Sequence, residues 1–442
     1  MKRLGPAEWF VCTALLFGGL FAILIPPFQS PDEPNHLLRA YQVSEGRMFP
    51  VKMGQRLGGY LPASLQTMAD SFGYLKHDYQ ARLSPGLLGR AGQIPLRPEH
   101  RVFLDFANTA LYAPTAYLPQ AMAIALLRPF GTGPLWLLYA ARLANLCVWI
   151  LLVWSALRTL PALHRPVAGL ALLPASLVMA ASANADVLTN GLCCWLFAAF
   201  CHPAVRGRVG QLLAFAAVCA AKLVTVPLGL LYALHRKSRP ALVLLLPVGL
   251  VMAGVWGQLA QGWFISYQDY DPAYRNTQTL NDGVQPAAQL RFVAQNPVFF
   301  LQVTARSYGQ ALPSTLAHFV GKFGWEKNYL PAGWLATLGL AVLGLLCCEI
   351  SPWTTRQRGL ALLVALLFVA LFSVTMYALW CPLGAPELSN LQGRYFVPIG
   401  PVLALALSNR WLARSARFIV PMAFGLLCLG NVVMVWAVLA RW

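Results

Sequence analysis

Long apolar segments alternate with shorter polar ones along most of the 442-residue chain. Several apolar segments approach the roughly 20 residues that a helix needs to cross a bilayer. The pattern predicts membrane helices over residues 8–25, 135–157, 166–183, 187–202, 240–264, 333–350, 359–380, 397–411 and 418–440. Residues 211–234 are interrupted by Lys222 and Pro227, so they predict a hairpin of two short helices. The expected fold is an all-α polytopic membrane protein with about 11 transmembrane helices.

Two long polar segments, residues 26–133 and 266–331, predict extracytoplasmic loops within a single integral membrane domain over 1–442. This domain comprises helix 1 (8–25), the first loop, core helices 2–6 (134–240) and the C-terminal helices (241–442) with the second loop. The apolar stretch 108–130 is broken by Pro114 and Pro119. A full crossing there would place the basic segments 158–165 and 206–208 outside, so the stretch is predicted to form interfacial or half-inserted juxtamembrane helices. Residues 286–312 of the second loop are amphipathic.

Charge sets the expected orientation of these helices. The formal net charge is +18, yet the basic residues cluster in short segments without acids, at 158–165, 206–208, 235–239, 356–358 and 410–417. Cytoplasmic loops carry such an excess of Lys and Arg, so the charge indicates topology and not a nucleic-acid partner. Of the 15 acidic residues, all except Glu8 and Glu349 then fall outside, and chemistry is expected at the extracytoplasmic face.

Two adjacent carboxylates, Asp32 and Glu33, directly follow the first membrane helix. His36 and Arg39 come one and two turns later, so this stretch predicts the reaction centre, with the two carboxylates as catalytic candidates. A purely structural alternative is that Ser30 begins a helix as its N-cap. Glu33 would then complete a capping box, and both acids would only satisfy backbone N–H groups.

Four further ionisable residues, Arg142, Asp186, Lys222 and Arg394, lie at predicted membrane boundaries on the outer side. Charged groups in or near lipid are costly, so each one is a functional candidate. Together with His36, Arg39 and Asn184 they form the predicted substrate-binding set. The alternative is that they pair with one another to hold helices together, for example Asp186 with Lys222.

A carboxylate that faces fixed cations at a membrane surface suits one reaction well. The carboxylate removes a proton from an acceptor hydroxyl, and the cations stabilise a phosphate leaving group. A divalent cation, Mg²⁺ or Mn²⁺, bound by Asp32 and Glu33 would do part of the work of the cations.

Several motifs resemble those of domain-of-unknown-function family 2142, which comprises bacterial polytopic membrane proteins. They span nearly the whole chain and read PDEPNHLLRAYQVSEG, NTALYAPTAYLPQA, YAARLAN, SANADVLTNG and LQGRYFVPIGP. That family is similar in layout to the GT-C superfamily of membrane glycosyltransferases. The resemblance implies a polyprenyl-phosphate-sugar donor lipid, inverting transfer to an extracytoplasmic glycan or lipid acceptor, and an active site on the periplasmic side of the bacterial inner membrane.

The resemblance also implies roles for single residues. Asp32 would be the base, and Glu33 would support it or help to hold a metal. Arg142 and Lys222 would be candidates for the donor phosphate, while Arg394 matches a motif of the 2142 family.

Two other functional classes remain open on sequence grounds. A transporter or flippase of a lipid-linked glycan also explains intramembrane charges, but it predicts charges along a path through the membrane. A non-catalytic membrane assembly protein needs neither Asp32 nor Glu33.

Overall fold

The computed structural model describes residues 5–76, 78–202, 208–234, 242–325, 328–350 and 352–442, and these ranges are mostly helical. The α-helices are α1 (Pro6–Leu24), α2 (Glu33–Ser44), α3 (Ala63–Ser71), α4 (Leu87–Gly92), α5 (Ala107–Ala110), α6 (Leu118–Leu127), α7 (Pro134–Thr159), α8 (His164–Ala171), α9 (Pro174–Ala180), α10 (Asp186–Cys201), α11 (Arg208–Ala221), α12 (Leu242–Trp263), α13 (Pro286–Gln295), α14 (Pro297–Gly321), α15 (Ala332–Cys347), α16 (Thr355–Trp380), α17 (Gly400–Leu407) and α18 (Ala416–Arg441). The strands are β1 (Val51–Met53), β2 (Arg56–Pro62) and β3 (Arg101–Asp105).

Five of these helices, α1, α7, α12, α16 and α18, are long and apolar enough to cross a membrane. Shorter apolar helices accompany them, including α10, α11, α15 and the 3-10 helix Leu223–Leu234. The prediction of a polytopic helical membrane protein is therefore confirmed, whereas the count of eleven crossings stays a prediction. The Lys222 hairpin has the expected form, because α11 ends one residue before Lys222 and the 3-10 helix begins one residue after it.

Two predicted helices differ from their predicted form. The segment 166–183 divides into α8 and α9, because Leu173 takes an extended ψ of 137° immediately before Pro174. The segment 397–411 is only partly helical: a 3-10 helix over Gly393–Ile399 leads into α17, which ends at Leu407.

The all-α prediction is wrong in the first outer segment, where β1, β2 and β3 form an antiparallel sheet in that order. Gly58 of β2 pairs with Asp105 of β3. Arg56 forms an ion pair with Asp105 across these strands. The Tyr270 hydroxyl donates to Asp105 Oδ1 at 2.6 Å, so the second outer segment is joined to the same sheet.

The first outer segment has its own hydrophobic core. Apolar side chains of α2, the sheet and α3 are buried together with the outer end of α7, among them Tyr41, Leu61, Phe72 and Leu138. Residues 26–133 therefore form a folded cap on the helical bundle. The stretch 108–130 lies within this cap as α5, a 3-10 turn and the ten-residue α6, which is too short to span a bilayer.

The amphipathic stretch predicted in the second outer segment becomes α13 and the 25-residue α14. Large apolar side chains of α14, Val298, Leu301, Leu312 and Leu316, are more than half exposed. Exposed apolar side chains next to polar ones such as Gln302 and Arg306 are typical of helices at a membrane interface.

The ends of the helices sort as the charge pattern predicts. At one end, Glu8 pairs with Arg158 at 3.0 Å, Glu349 accepts a hydrogen bond from the Leu163 amide, and Arg358 donates to the Ala406 carbonyl. The basic segments 158–165, 356–358 and 410–417 therefore gather at this end. The predicted segment 235–239 lies wholly outside the described residues, and only residue 208 of the segment 206–208 lies within them.

A labelling experiment tests which end faces the cytoplasm. In a cysteine-free chain, Lys52→Cys in β1 should react with an impermeant thiol reagent added to intact cells, because residue 52 is exposed at the predicted outer end. Arg356→Cys, also exposed, should react only after permeabilisation. The opposite result at both positions would invert the topology.

Candidate functional site

Glu33 and Arg142 form a fully buried ion pair at the predicted outer end of the bundle. Arg142 Nε and Nη2 donate to Glu33 Oε1 and Oε2 at 2.8 and 2.6 Å. The Glu33 carboxylate also accepts the backbone amides of Ala183 and Phe28, each at 3.0 Å. Four donors therefore saturate this carboxylate, and none of them comes from outside the protein.

Arg142 is saturated in the same way. Its remaining N–H groups donate to the carbonyl oxygens of Ala22, Ile25 and Pro26 at 3.0, 2.7 and 3.1 Å. The pair thereby joins the end of α1, the start of α2 and α7. These contacts give Glu33 and Arg142 an architectural role. The catalytic role predicted for Glu33 and the phosphate-binding role predicted for Arg142 stay predictions.

The carboxylate of Asp32 has different contacts from that of Glu33. Helix α2 begins at Glu33, and Asp32 occupies the N-cap position without a side-chain capping hydrogen bond. The capping alternative with Ser30 as N-cap is therefore wrong. The Asp32 carboxylate instead lies 3.5 Å from Arg394 Nη2 and accepts from Asn108 Nδ2 at 3.3 Å. Its side chain is 19% exposed, so the carboxylate is accessible from outside the protein.

The backbone of Asp32 is left-handed, with φ 61°. Aspartate tolerates this conformation better than most residues, at a cost of about 1 kcal/mol. Phe28, four residues earlier, is also left-handed with φ 66°. The turn between α1 and α2 therefore contains two strained residues. The Glu33–Arg142 pair stabilises this turn through its hydrogen bonds to the Phe28 amide and the Pro26 carbonyl.

The other predicted cations and acids continue from Asp32 as a chain of contacts. Arg394 Nη2 donates to the Tyr395 hydroxyl at 3.2 Å, and Lys222 Nζ lies 5.6 Å from the centroid of the Tyr395 ring. Lys222 Nζ then pairs with Asp186 Oδ1 at 2.6 Å. The structure thus brings Asp32, Arg394, Lys222 and Asp186 into one cluster, and the pairing alternative holds for Asp186 and Lys222.

Close backbone packing positions Arg394. A Cβ atom at Gly393 would lie 2.3 Å from both the Phe319 amide nitrogen and the Thr315 carbonyl oxygen of α14. Only glycine permits this approach of the 3-10 helix to α14. A larger residue at 393 would move Arg394 away from Asp32.

Asn184 shapes the turn that leads into α10. Its Oδ1 accepts the Asp186 amide at 2.8 Å, and its carbonyl accepts from Asn145 Nδ2 at 3.1 Å. The predicted substrate-binding residue Asn184 therefore also orients Asp186 toward Lys222.

His36 and Arg39 are buried on α2 and bind other parts of the cap. His36 Nδ1 lies 2.9 Å from the Tyr117 hydroxyl. Arg39 donates to the carbonyl oxygens of Met48 and Tyr112 at 2.8 and 3.4 Å and also bonds the Gln42 side chain. Burial lowers the pKa of His36 to about 4 and the pKa of Arg39 to about 10. The contacts give Arg39 an architectural role, and its predicted substrate contact stays a prediction.

The lowered pKa of His36 predicts acid sensitivity. The folded state keeps His36 neutral, whereas an unfolded histidine gains a proton below its ordinary pKa of 6.5. The unfolded state then binds more protons, so the free energy of unfolding should fall by about 3 kcal/mol between pH 6.5 and pH 4. Thermal unfolding of the wild type and His36→Gln at pH 7 and 4.5 checks this. An equal acid shift in both proteins would contradict it.

A cavity of about 60 Å³ adjoins the cluster. Its polar and charged lining residues include Ser30, Ser176, Ser182, Asn184, His318, Lys322, Gln392 and Arg394. Sequence reasoning missed His318 and Lys322, which lie at the C-terminal end of α14 and belong to no chemical motif. It also gave no role to Asn108 and Tyr395, although both stand inside the motifs NTALYAPTAYLPQA and LQGRYFVPIGP.

The residues present do not fit the expected Mg²⁺ or Mn²⁺ centre. Both Glu33 carboxylate oxygens are engaged by protein donors, which leaves Asp32 as a single carboxylate beside the cation Arg394. Across the described part of the chain, no three His, Cys, Asp or Glu side chains are grouped as metal ligands.

Comparison with known proteins gives one result. A family model described as "Predicted membrane protein (DUF2142)" matches residues 15–403. No curated protein and no solved structure matches the chain. The chain belongs to this family of membrane proteins.

Proposed function

We propose that this member of the family is a membrane-embedded glycosyltransferase that uses a polyprenyl-phosphate-linked sugar as donor. The observation that carries the proposal is the placement of Asp32. Its carboxylate is accessible, lies in a strained turn at the end of the bundle, and faces Arg394 at 3.5 Å. A carboxylate that can act as a base and a fixed cation therefore adjoin each other at the predicted outer end of the bundle, where the head group of the proposed donor would bind.

In the proposed reaction, Asp32 removes the proton from an acceptor hydroxyl as that oxygen attacks C1 of the donor sugar. The bond between C1 and the phosphate oxygen breaks, and the polyprenyl phosphate leaves with the bonding electrons. The transfer inverts the configuration at C1, because attack and departure occur on opposite faces. Arg394 stabilises the negative charge that grows on the leaving phosphate.

The acceptor would be an extracytoplasmic glycan or lipid, and the membrane would be the bacterial inner membrane with the site facing the periplasm. The positions of the acids support this orientation. Asp32, Glu33 and Asp186 lie at the end opposite Glu8 and Glu349, which is the predicted outer end.

The arrangement of charges favours transfer over transport. A transporter needs polar groups along a path through the bilayer. Six buried or half-buried charged groups, Asp32, Glu33, Arg142, Asp186, Lys222 and Arg394, gather at the predicted outer end, whereas Glu349 is buried at the opposite end.

The test measures undecaprenyl phosphate, which the proposed reaction releases whichever sugar is transferred. The full chain in lipid nanodiscs receives a panel of undecaprenyl-phosphate sugars together with membrane extract as acceptor, and the undecaprenyl phosphate released is measured. Glycosyl transfer predicts release that depends on the extract for at least one sugar. Movement of intact donor across a proteoliposome membrane without release would instead identify a flippase. The absence of both activities would favour an assembly role.

A further inference from the structure

The cavity beside Asp32 has a cationic lining. Arg394 and Lys322 contribute positive charges from two sides, and Lys322 Nζ lies 3.4 Å from His318 Nε2. Ser176, Ser182, Asn184 and Gln392 add neutral polar groups. Among the described residues that line the cavity there is no Asp or Glu. The lining therefore favours an anion.

The cavity has room for a small anion. A volume of about 60 Å³ has room for about four water-sized groups. This is enough room for a tetrahedral phosphate.

We propose that this cavity is a phosphate subsite in which Arg394, Lys322 and His318 bind the phosphate group of a lipid-linked substrate. The lipid part of the assignment rests on the proposed function, whereas the phosphate part rests on the cavity itself. The subsite replaces the predicted phosphate contacts of Arg142, whose N–H groups all donate to protein, and of Lys222, which pairs with Asp186.

Neighbouring side chains orient the new members of the site. The ring of Tyr329 stacks on His318 at 5.2 Å between centroids, and its hydroxyl bonds His318 Nε2. Lys322 Nζ lies 5.9 Å from the Tyr329 ring centroid. Because Arg394 borders both the cavity and Asp32, a phosphate bound here lies next to the base. The sugar carbon attached to that phosphate then extends from the cavity toward Asp32.

Binding of fluorescent undecaprenyl phosphate to the full chain in nanodiscs tests the subsite. Lys322→Gln and Arg394→Gln should each weaken binding roughly 10- to 100-fold, because each removes a charge-assisted hydrogen bond. Lys322→Arg keeps the charge and should stay within about threefold of wild type. Lys52→Gln, an exposed lysine at the same end, is the matched control and should bind normally. Thermal unfolding of each variant separates lost binding from lost folding.

Competitors identify the part of the ligand that is recognised. Undecaprenol, which lacks the phosphate, should not displace the probe. Equal displacement by undecaprenol, or normal binding by a folded Lys322→Gln protein, would overturn the subsite. Displacement by inorganic phosphate at concentrations equal to those of undecaprenyl phosphate would overturn the lipid assignment.

The two proposals fail in different ways. If undecaprenyl phosphate binding depends on Lys322 but no undecaprenyl phosphate is released from donor sugars, the subsite proposal stands and the transferase proposal is overturned. If Asp32→Asn abolishes sugar transfer but Lys322→Gln and Arg394→Gln bind undecaprenyl phosphate normally, the transferase proposal stands and the subsite proposal is overturned.

Discussion

Asp32→Asn should fold like the wild type and transfer sugar on the order of 10²–10⁴ times more slowly. Asparagine has nearly the same volume and also adopts the left-handed backbone that residue 32 requires. It cannot remove a proton from the acceptor hydroxyl. The change in folding free energy should be about 1 kcal/mol or less. Release of undecaprenyl phosphate, measured alongside the amount of folded protein, checks both parts of this prediction.

Asp70→Asn is the matched control for this variant. Asp70 is an exposed acid of the same cap, and its carboxylate accepts a hydrogen bond from Gln66. We expect wild-type transfer from it. Wild-type transfer from a well-folded Asp32→Asn protein would remove this carboxylate from the mechanism.

Glu33→Gln and Arg142→Lys should destabilise the fold, each by about 3–5 kcal/mol, because each leaves a buried partner without its full set of hydrogen bonds. Lysine keeps the charge of Arg142 but cannot reproduce its five N–H donors in a planar fork. Thermal unfolding in detergent and the yield of monodisperse protein measure the loss. Any residual activity should fall in proportion to the folded protein.

The exposed pair of Glu8 and Arg158 provides the control for burial. Its nitrogen and oxygen atoms are 3.0 Å apart, but the two side chains are 39% and 62% exposed. Glu8→Gln should therefore cost at most about 1 kcal/mol. A Glu33→Gln protein that is as stable as Glu8→Gln but inactive would return Glu33 to the catalytic role that its position in the sequence suggested.

Together, these two predictions separate neighbouring carboxylates that look equivalent in the sequence. Loss of Asp32 should lower the rate and leave the fold intact. Loss of Glu33 should lower the amount of folded protein and leave the rate per folded molecule nearly unchanged. Rate and folded yield must therefore be measured on the same samples.

The sequence by itself determined the helical membrane architecture, the sorting of charges between the two ends and the region of the candidate site. The physical reason is local: lipid requires backbone hydrogen bonds to close within each helix, so apolar length predicts a crossing. Lys222 marks the tip of its hairpin in the sequence because a charged residue is rare within apolar membrane segments. The choice of Asp32 and Arg394 as candidates could likewise be made from the sequence, since charges near a membrane are rarely tolerated without a use.

Only the tertiary structure decided what each charged residue contacts. Glu33 meets Arg142 across 109 residues, and nothing local to the two adjacent acids shows which of them takes that partner. The pairing of β2 with β3 joins segments about 40 residues apart, so it depends on contacts that no short sequence pattern records. Lys322 and His318 enter the site because α14 lies beside the glycine at 393. Such long-range contacts are chosen by burial and hydrogen bonding in the complete fold, which explains why they were missed.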